Sequence, residues 1–317
     1  MKIILTADFY DCQIRGSLIY LWDTWGKVIV VDIRELVSGM QKEPDSNIFI
    51  ELNRELIKKH IISVDDVSGG VFPVDTAFIG KYLYTATETG LYKKIIEVSK
   101  SERNTQKRKA TKLLGIRLFE LALGPNSVMA IAAGKEGVLE LYNPQKMRIS
   151  KWSHSLEREI RNGIYLVHGK ESRSVMYEDQ NILSSDKKGN LYRLNFLPPR
   201  NPKRGERMLR SYQNTKIINE LPSVLEIPRD KMHIPGLNNL PAPISASGKI
   251  RKRLEGIFGL VYMSKKEVVV DLGRKGAQIV KGPITRCRIG SGFGASNNLL
   301  ITILDDRVEI TDFKGVV

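Results

Sequence analysis

Short apolar, β-rich runs recur along the chain in pairs, each pair bent at a cluster of Gly, Asp, Asn or Lys. Residues 82–87 (YLYTAT) bend at Glu88-Thr89-Gly90 into 91–96 (LYKKII). Residues 128–133 (VMAIAA) bend at 134–137 (GKEG) into 138–142. Residues 181–185 bend at Asp186-Lys187-Lys188-Gly189 into 190–194. Residues 261–263 lead through Ser264-Lys265-Lys266 into 267–272, and 299–304 (LLITIL) through Asp305-Asp306-Arg307 into 308–313. A further copy lies near the start, where 17–22 (SLIYLW) turns at Asp23-Thr24-Trp25-Gly26 into 28–33 (VIVVDI). β-branched and aromatic runs bounded by such residues predict hairpins.

Six hairpins in one chain constitute a repeat. The turn anchors Gly16, Gly90, Gly137, Gly189, Lys266 and Arg307 are spaced by 74, 47, 52, 77 and 41 residues. A propeller blade of four strands takes roughly 40–50 residues. Three intervals fit directly. The 77-residue interval fits once a Pro-rich insertion is removed. The 74-residue interval is expected to hold either a degenerate blade around residues 48–64 or a helix over 51–60. Stacked blades bury both faces of each hairpin. Residues 3–5 and 308–313 are the expected shared blade that joins the chain ends. The alternative architecture is a β-sandwich with a second domain.

Residues 16–31, GSLIYLWDTWGKVIVV, resemble the WD-repeat β-propeller superfamily: a third blade strand, the Trp22-Asp23 dipeptide, a turn and an outer strand. Elsewhere the dipeptide is degraded to Tyr142-Asn143, Asn195-Phe196 and Thr311-Asp312, and no Gly-His signature precedes a blade. The resemblance implies an all-β fold: an irregular β-propeller of about six to seven blades over residues 1–317, acting as a platform for partners.

Charge changes the picture more than composition does. Hydrophobic residues make up 42% of the chain, enough for a substantial core. The net charge of +15 is concentrated in two places. A basic loop, 100–112 (KSERNTQKRKATK), has net +5, and a Pro-rich insertion between blades, 197–253, has net +8 and eight of the thirteen prolines. The rest is nearly neutral. Proline excludes regular helix and interior strand, so the insertion is expected to run extended. Arginine pairs bidentately with phosphate, and aromatics stack on unpaired bases. The expected anion-binding residues are Lys107, Arg108, Lys109, Lys112, Arg200, Lys203, Arg204, Arg207, Arg210, Tyr212, Lys249, Arg251, Lys252 and Arg253, with His233 a further aromatic. The partner is RNA more than DNA, held through its backbone, together with protein subunits of a complex. An acidic protein surface would satisfy the same arms. The interleaved Leu225, Ile227, Met232, Ile234 and Leu237 suit a strap packed on protein.

Catalytic signatures are weak. His60, His154, His168 and His233 have no metal-ligand spacing among themselves or with Cys12 and Cys287. The two thiols read as buried and point to a reducing compartment. Residues 290–294 (GSGFG) precede a strand rather than a helix, so they read as a turn between blades, not a phosphate loop. Asp8 with Asp11, Asp65 with Asp66 and Asp305 with Asp306 are expected at turns; the alternative is a hydrolase with carboxylates or a metal in a central channel. Trp22 fits blade packing, while Trp25 and Trp152 are candidate exposed anchors. The opening MKIILTADFY lacks a signal-peptide pattern, and no apolar run reaches the length of a spanning helix. The expectation is a non-enzymatic intracellular scaffold in the cytoplasm, the nucleus remaining open in a eukaryotic cell. No cofactor, metal, membrane or small-molecule substrate is expected.

Overall fold

The computed structural model describes residues 2–38, 49–66, 72–95, 110–124, 128–141, 163–178, 180–188, 190–197, 211–218, 252–272, 277–292 and 295–313. In chain order come β1 (Lys2–Thr6), β2 (Phe9–Gly16), β3 (Leu18–Asp23), β4 (Lys27–Asp32), α1 (Ile33–Ser38), β5 (Phe49–Asn53), α2 (Arg54–Lys59) and β6 (Ile61–Asp66). Then follow β7 (Pro73–Ile79), β8 (Tyr82–Thr87), β9 (Gly90–Ile95) and β10 (Thr111–Leu114). The next groups are β11 (Glu120–Leu123), β12 (Met129–Ala132), β13 (Val138–Leu141), β14 (Ile164–His168), and β15 (Ser174–Glu178), β16 (Asn181–Ser185), β17 (Leu191–Leu197), β18 (Ser211–Ile218). The last are β19 (Lys252–Gly256), β20 (Gly259–Met263), β21 (Glu267–Asp271), β22 (Ala277–Lys281), and β23 (Ile284–Gly292), β24 (Ala295–Leu304), β25 (Val308–Asp312).

Strands β7–β10, β11–β14, β15–β18 and β19–β22 form four-stranded antiparallel sheets. The remaining strands form one nine-stranded sheet in the order β5-β1-β25-β24-β23-β2-β3-β4-β6. It holds two blades, β2-β3-β4-β6 and β23-β24-β25-β1, joined where β2 meets β23 in parallel over only Arg15↔Ser291 and Gly16↔Gly292. The fold is thus a six-bladed β-propeller. The two chain ends share a blade as expected: Ile3 pairs with Ile310 and Leu5 with Val308.

Contacts divide the chain into two compact units, Met1–Asp66 with Pro222–Val317 and, separately, Val67–Leu221. In the first unit, β24 is buried on both faces. Leu299, Ile301 and Ile303 join Cys12, Ile14, Ile19 and Leu21 in one core. Leu300 and Leu304 join Val261, Val268, Val270 and Cys287 in another. In the second unit, Met129 and Ile131 pack with Tyr84, Ala86 and Leu91, while Ala130 and Ala132 face Val175, Ile182 and Leu194. Burial on both faces is why these strands read as unbroken apolar runs rather than as alternations.

Small polar side chains fix the hairpin bends. Asp23 Oδ1 accepts the amides of Trp25 and Lys27, both at 2.9 Å. Asp186 Oδ1 accepts those of Lys188 and Asn190 at 2.8 and 2.9 Å, so both aspartates bond the amides two and four positions further on. Thr87 and Ser264 do the same work through their hydroxyls. Such side-chain to backbone bonds are the reason these residue types mark turns.

Four expectations change. Residues 48–64 do not form a blade, and the helix expected over 51–60 forms in part, over Arg54–Lys59. β5 adds in parallel to β1, β6 adds antiparallel to β4, and between them lies the single short helix α2, capped by Asn53 Oδ1 on the Leu56 amide. Both strands extend existing sheets, so the 74-residue interval contains no extra blade. The basic loop 100–112 ends in strand, since Thr111 and Lys112 belong to β10. The insertion 197–253 is split: Leu197 closes β17, 211–218 is β18, and Lys252 and Arg253 open β19. No proline falls between Pro202 and Pro222, and SYQNTKII has the β-branched and aromatic content of a strand. Gly290 and Gly292 belong to β23, and the strand that follows, β24, is in the same blade, so this stretch joins two strands of one blade and not two blades.

Candidate polyanion-binding surface

The outer hairpin of the β7–β10 sheet is cationic. Lys93 lies opposite Tyr84 on one side and Thr111 on the other, and Lys112 lies opposite Tyr92. The Lys93 ammonium sits 3.8 Å from the centre of the Tyr82 ring and 5.9 Å from that of Tyr84; Lys81 approaches Tyr82 at 5.8 Å. Lys112 is exposed, and its ammonium stands 5.7 Å from the Tyr92 ring. Its stem runs over Gly90, where an added Cβ would meet Lys112 Cε at 2.9 Å. Cross-strand pairs of this kind orient ammonium groups without neutralising them. Burial, with the neighbouring Tyr82, pushes the Tyr84 hydroxyl up to about 12, so it stays protonated at neutral pH.

This hairpin is where the first basic segment is rooted: residues 96–110 connect β9 to β10. In the fourth blade, 198–210 connects β17 to β18, the same third-to-fourth position. The third blade repeats the arrangement with 142–162, between β13 and β14, which carries Lys146, Arg148, Lys151, Arg158 and Arg161 against Glu157 and Glu159. The first strands of the three sheets start at one level. Asp75 Oδ2 on β7 accepts the Leu121 amide of β11 at 2.7 Å, and Glu120 Oε2 on β11 accepts the Val175 amide of β15 at 3.1 Å. With strand direction alternating inside each sheet, all three connectors leave from the end where β7, β11 and β15 finish.

Of the residues expected from sequence to bind anions, Lys107, Arg108, Lys109, Arg200, Lys203, Arg204, Arg207, Arg210, Lys249 and Arg251 lie outside the described residues. So do His154, His233, Trp152 and the apolar strap residues Leu225–Leu237 as a group, residues 225–237. Tyr212, on β18, donates its hydroxyl to Glu140 Oε1 at 2.8 Å and meets Phe196 edge-on at 6.1 Å between ring centres. Tyr177 donates to the same Glu140 oxygen. Lys252 is half-buried on the first strand of the fifth blade, and Arg253 follows it on that strand. Lys112 and Tyr212 therefore stand on two different sheets of the second unit, and Lys252 on a sheet of the first. Lys81 and Lys93, and the cations of 142–162, were missed by sequence reasoning. Their signal was position, a lysine opposite an aromatic or a connector at a repeated place, which needs the strand register to be seen.

The candidate carboxylates have other partners. Asp11 lies inside β2, not at a turn, and is gripped by Arg286 and Arg288. Asp65 and Asp66 are likewise in a strand, β6. Asp305 accepts the Thr285 hydroxyl at 3.0 Å, and Asp306 pairs with Arg307 at 3.0 Å. Among the described residues no three His, Cys, Asp or Glu are grouped to hold a metal ion. Cys12 and Cys287 are buried free thiols, in separate cores. Burial raises both, Cys12 with help from the Asp11 charge and Cys287 up to about 12. Among the described residues no helix is long and apolar enough to cross a membrane.

No family model and no curated protein matches the chain. Solved structures do resemble it. The AfRom2 CNH domain superposes over 99% of both chains at 12% identity with a TM-score of 0.49. A chain of an S. cerevisiae assembly of dbp5 with nup159, gle1, IP6 and ADP covers 96% of this chain and 89% of its own at 12% identity, TM-score 0.47. A chain of the mitotic checkpoint complex covers 94% of this chain and 73% of its own at 9% identity, TM-score 0.41. Likeness at this level says nothing about function.

Proposed function

We propose that the chain is a non-enzymatic propeller scaffold, a subunit of an intracellular assembly, that holds a polyanion along the end of the second unit where three basic connectors emerge. RNA is the favoured polyanion, bound through its phosphates. The observation that carries this reading is positional. In three consecutive blades the connector at one and the same place is cationic, the outer hairpin beneath the first adds Lys93 and Lys112, and the β7–β8 bend of the same sheet adds Lys81. Repetition of charge at one structural position is what a surface for an extended anion needs. The engagement of Tyr212 with Glu140 and Phe196 supports backbone contact over base stacking.

A second reading, an adaptor for an acidic protein surface, is favoured by the same engagement, since cations without an aromatic platform suit either ligand. Purification of the full chain from its native source, with and without nuclease, separates the two. A companion sample carries Arg200, Lys203, Arg204, Arg207 and Arg210 changed to Gln. RNA that co-purifies and disappears in the variant supports the first reading. A defined protein that survives nuclease supports the second. Absence of both overturns the scaffold reading and returns attention to the hydrolase alternative.

A further inference from the structure

The end of the second unit opposite the basic connectors carries a different charge arrangement. There the β8–β9, β12–β13 and β16–β17 bends adjoin the segments that lead from one sheet to the next, 115–119 and 169–173. These two segments are held alike. The Leu118 amide bonds to the Thr87 carbonyl of the preceding sheet, and the Phe119 amide to the Ala132 carbonyl of its own. The Ser172 amide bonds to the Gly134 carbonyl in the preceding sheet's bend, and the Arg173 amide to the Ser185 carbonyl of its own sheet. Phe119 and Arg173 thus hold one position in consecutive repeats, each just before the first strand of its sheet.

Three side chains converge there. The Arg173 guanidinium carbon lies 4.0 Å from the centre of the Phe119 ring, and that of Arg117 lies 5.1 Å from it. Gly134, at φ +59°, lets the ring sit against the β12–β13 bend, since a Cβ there would stand 2.6 Å from Phe119 Cε2. Arg117 Nη2 donates to Glu88 Oε1 at 2.6 Å, and Arg173 Nε to Glu171 Oε1 at 3.1 Å. Each guanidinium uses one hydrogen bond in this way, and its other N–H groups have no partner among the described residues. The two side chains are 60% and 39% exposed.

Ion pairs this exposed contribute little to the fold, so their carboxylates are open to exchange. Stacking on the ring orients the guanidinium planes and leaves their edges to solvent, and a fork ordered in advance loses less on binding. Both guanidinium carbons lie against one ring, so they stand no farther apart than the two ring distances together. Carboxylates at alternate positions of an extended peptide, about 7 Å apart on one face, match that span. The surroundings are of mixed sign: Glu88 and Glu171 lie beside the two arginines, and the adjoining bend adds exposed Lys135 and Glu136. A polyanion laid over this end would face those carboxylates, whereas a peptide needs to place only two acids.

We infer that the Arg117–Phe119–Arg173 stack is a docking site for an extended, acidic segment of a partner protein. Two carboxylates at alternate positions take the free edges of the two guanidinium groups as bidentate pairs. The side chain between them points away from the stack and is free to vary. This site lies at the other end of the unit from the connectors and does not rest on the polyanion reading.

The test uses the full chain and a labelled, end-blocked decapeptide of alternating aspartate and valine, with a lysine–valine peptide as the sign control, read by fluorescence anisotropy at physiological salt. The expected result is saturable binding of the aspartate peptide and none of the lysine peptide. Arg117→Lys with Arg173→Lys keeps the charge but removes the planar forks, and should weaken binding about tenfold. Glu88→Gln removes a competing carboxylate and should bind at least as tightly as wild type. The five-site Gln variant of 200–210 should keep its affinity for the peptide, which separates this test from that of the connectors. Arg117 is exposed, so Arg117→Lys alone carries the test if the double variant lowers the urea midpoint. Wild-type affinity in the arginine-to-lysine variants overturns the proposal, because charge without the forks is then enough. Binding of the lysine peptide, weaker binding by Glu88→Gln, or loss of peptide binding in the five-site variant also overturns it. So does loss of single-stranded RNA binding in the double lysine variant, since the occupant is then nucleic acid.

Discussion

Arg288 grips Asp11 through two hydrogen bonds, Nε to Oδ1 at 2.7 Å and Nη2 to Oδ2 at 2.6 Å, across 277 positions of sequence. Arg286 adds a third contact, Nη1 to Oδ2 at 3.0 Å, and reaches the Tyr10 hydroxyl at 3.2 Å. Asp11 is fully buried and the two guanidinium groups nearly so. The backbone ladder between β2 and β23 spans only two residue pairs. Side chains thus do most of the joining between the first and last blades of the unit.

Removal of the carboxylate should therefore unfold more than a surface change would. Asp11→Ala leaves two guanidinium groups facing each other with little water, a loss of about 3–5 kcal/mol. The urea midpoint should fall accordingly. Asp305→Ala, at an exposed bend, should stay within about 0.5 kcal/mol of wild type. Equal midpoints for the two variants would show that the pairing contributes little.

Gly137 opens β13 at φ +91°, and a Cβ there would stand 1.9 Å from the His168 carbonyl oxygen of β14. No side-chain rotation relieves a contact with backbone. Gly137→Ala is expected to cost at least about 2 kcal/mol or to prevent folding. Gly16→Ala is the control: its φ of +60° is equally unfavourable, but no atom lies within 4 Å of the added carbon, so the loss is limited to backbone strain of about 1 kcal/mol. Thermal unfolding of the pair separates clash from strain.

How legible was this fold in the sequence? The hairpins were, because their bends depend on residues a few positions apart, such as Asp23 with Lys27 or Asp186 with Asn190. The pairing of Ile3 with Ile310 was also legible, since closing a ring of blades brings strands from the two chain ends into one sheet. What escaped depended on distant partners. β5 and β6 become strands because β1 and β4 offer open edges, and nothing in FIELN or IISVDD states that. Asp11 read as a turn residue because its partners, Arg286 and Arg288, lie at the other end of the chain. For the candidate surface, the cationic segments were visible as runs. Their common structural position, and the membership of 142–162, were not, because a connector's place is defined by the strands on either side of it.

His168 provides a pH handle. Burial, with the nearby Lys170, holds its imidazole below the ordinary 6.5, and its Nε2 is buried with no hydrogen-bond partner among the described residues. The unfolded chain takes up this proton near pH 6.5, whereas the folded chain resists it to lower pH. Below 6.5 the unfolded state therefore binds more protons, and stability falls as pH drops towards the folded value. Wild type should lose stability between pH 7.5 and 5.5, and His168→Gln should lose less over the same interval. Urea midpoints at the two pH values measure the difference, and parallel slopes would remove His168 from the account.

The cationic hairpin makes a quantitative claim about salt. A lysine in contact with a single-stranded phosphate contributes about 0.7 to the slope of log affinity against log salt. Lys93→Gln with Lys112→Gln removes two such contacts and should lower the magnitude of that slope by about 1.4 for a single-stranded RNA oligonucleotide. The loss should be similar for oligonucleotides of different sequence, because phosphate contacts carry no base information. Both lysines lie on the outer hairpin and oppose tyrosines that remain in place, so folding should persist with about 1–2 kcal/mol lost from the cation–ring contacts. Titrations at three salt concentrations fix the slope. An unchanged slope with reduced affinity would mean that the lysines act through the hairpin's shape, while an unchanged slope and affinity would place the RNA away from this hairpin.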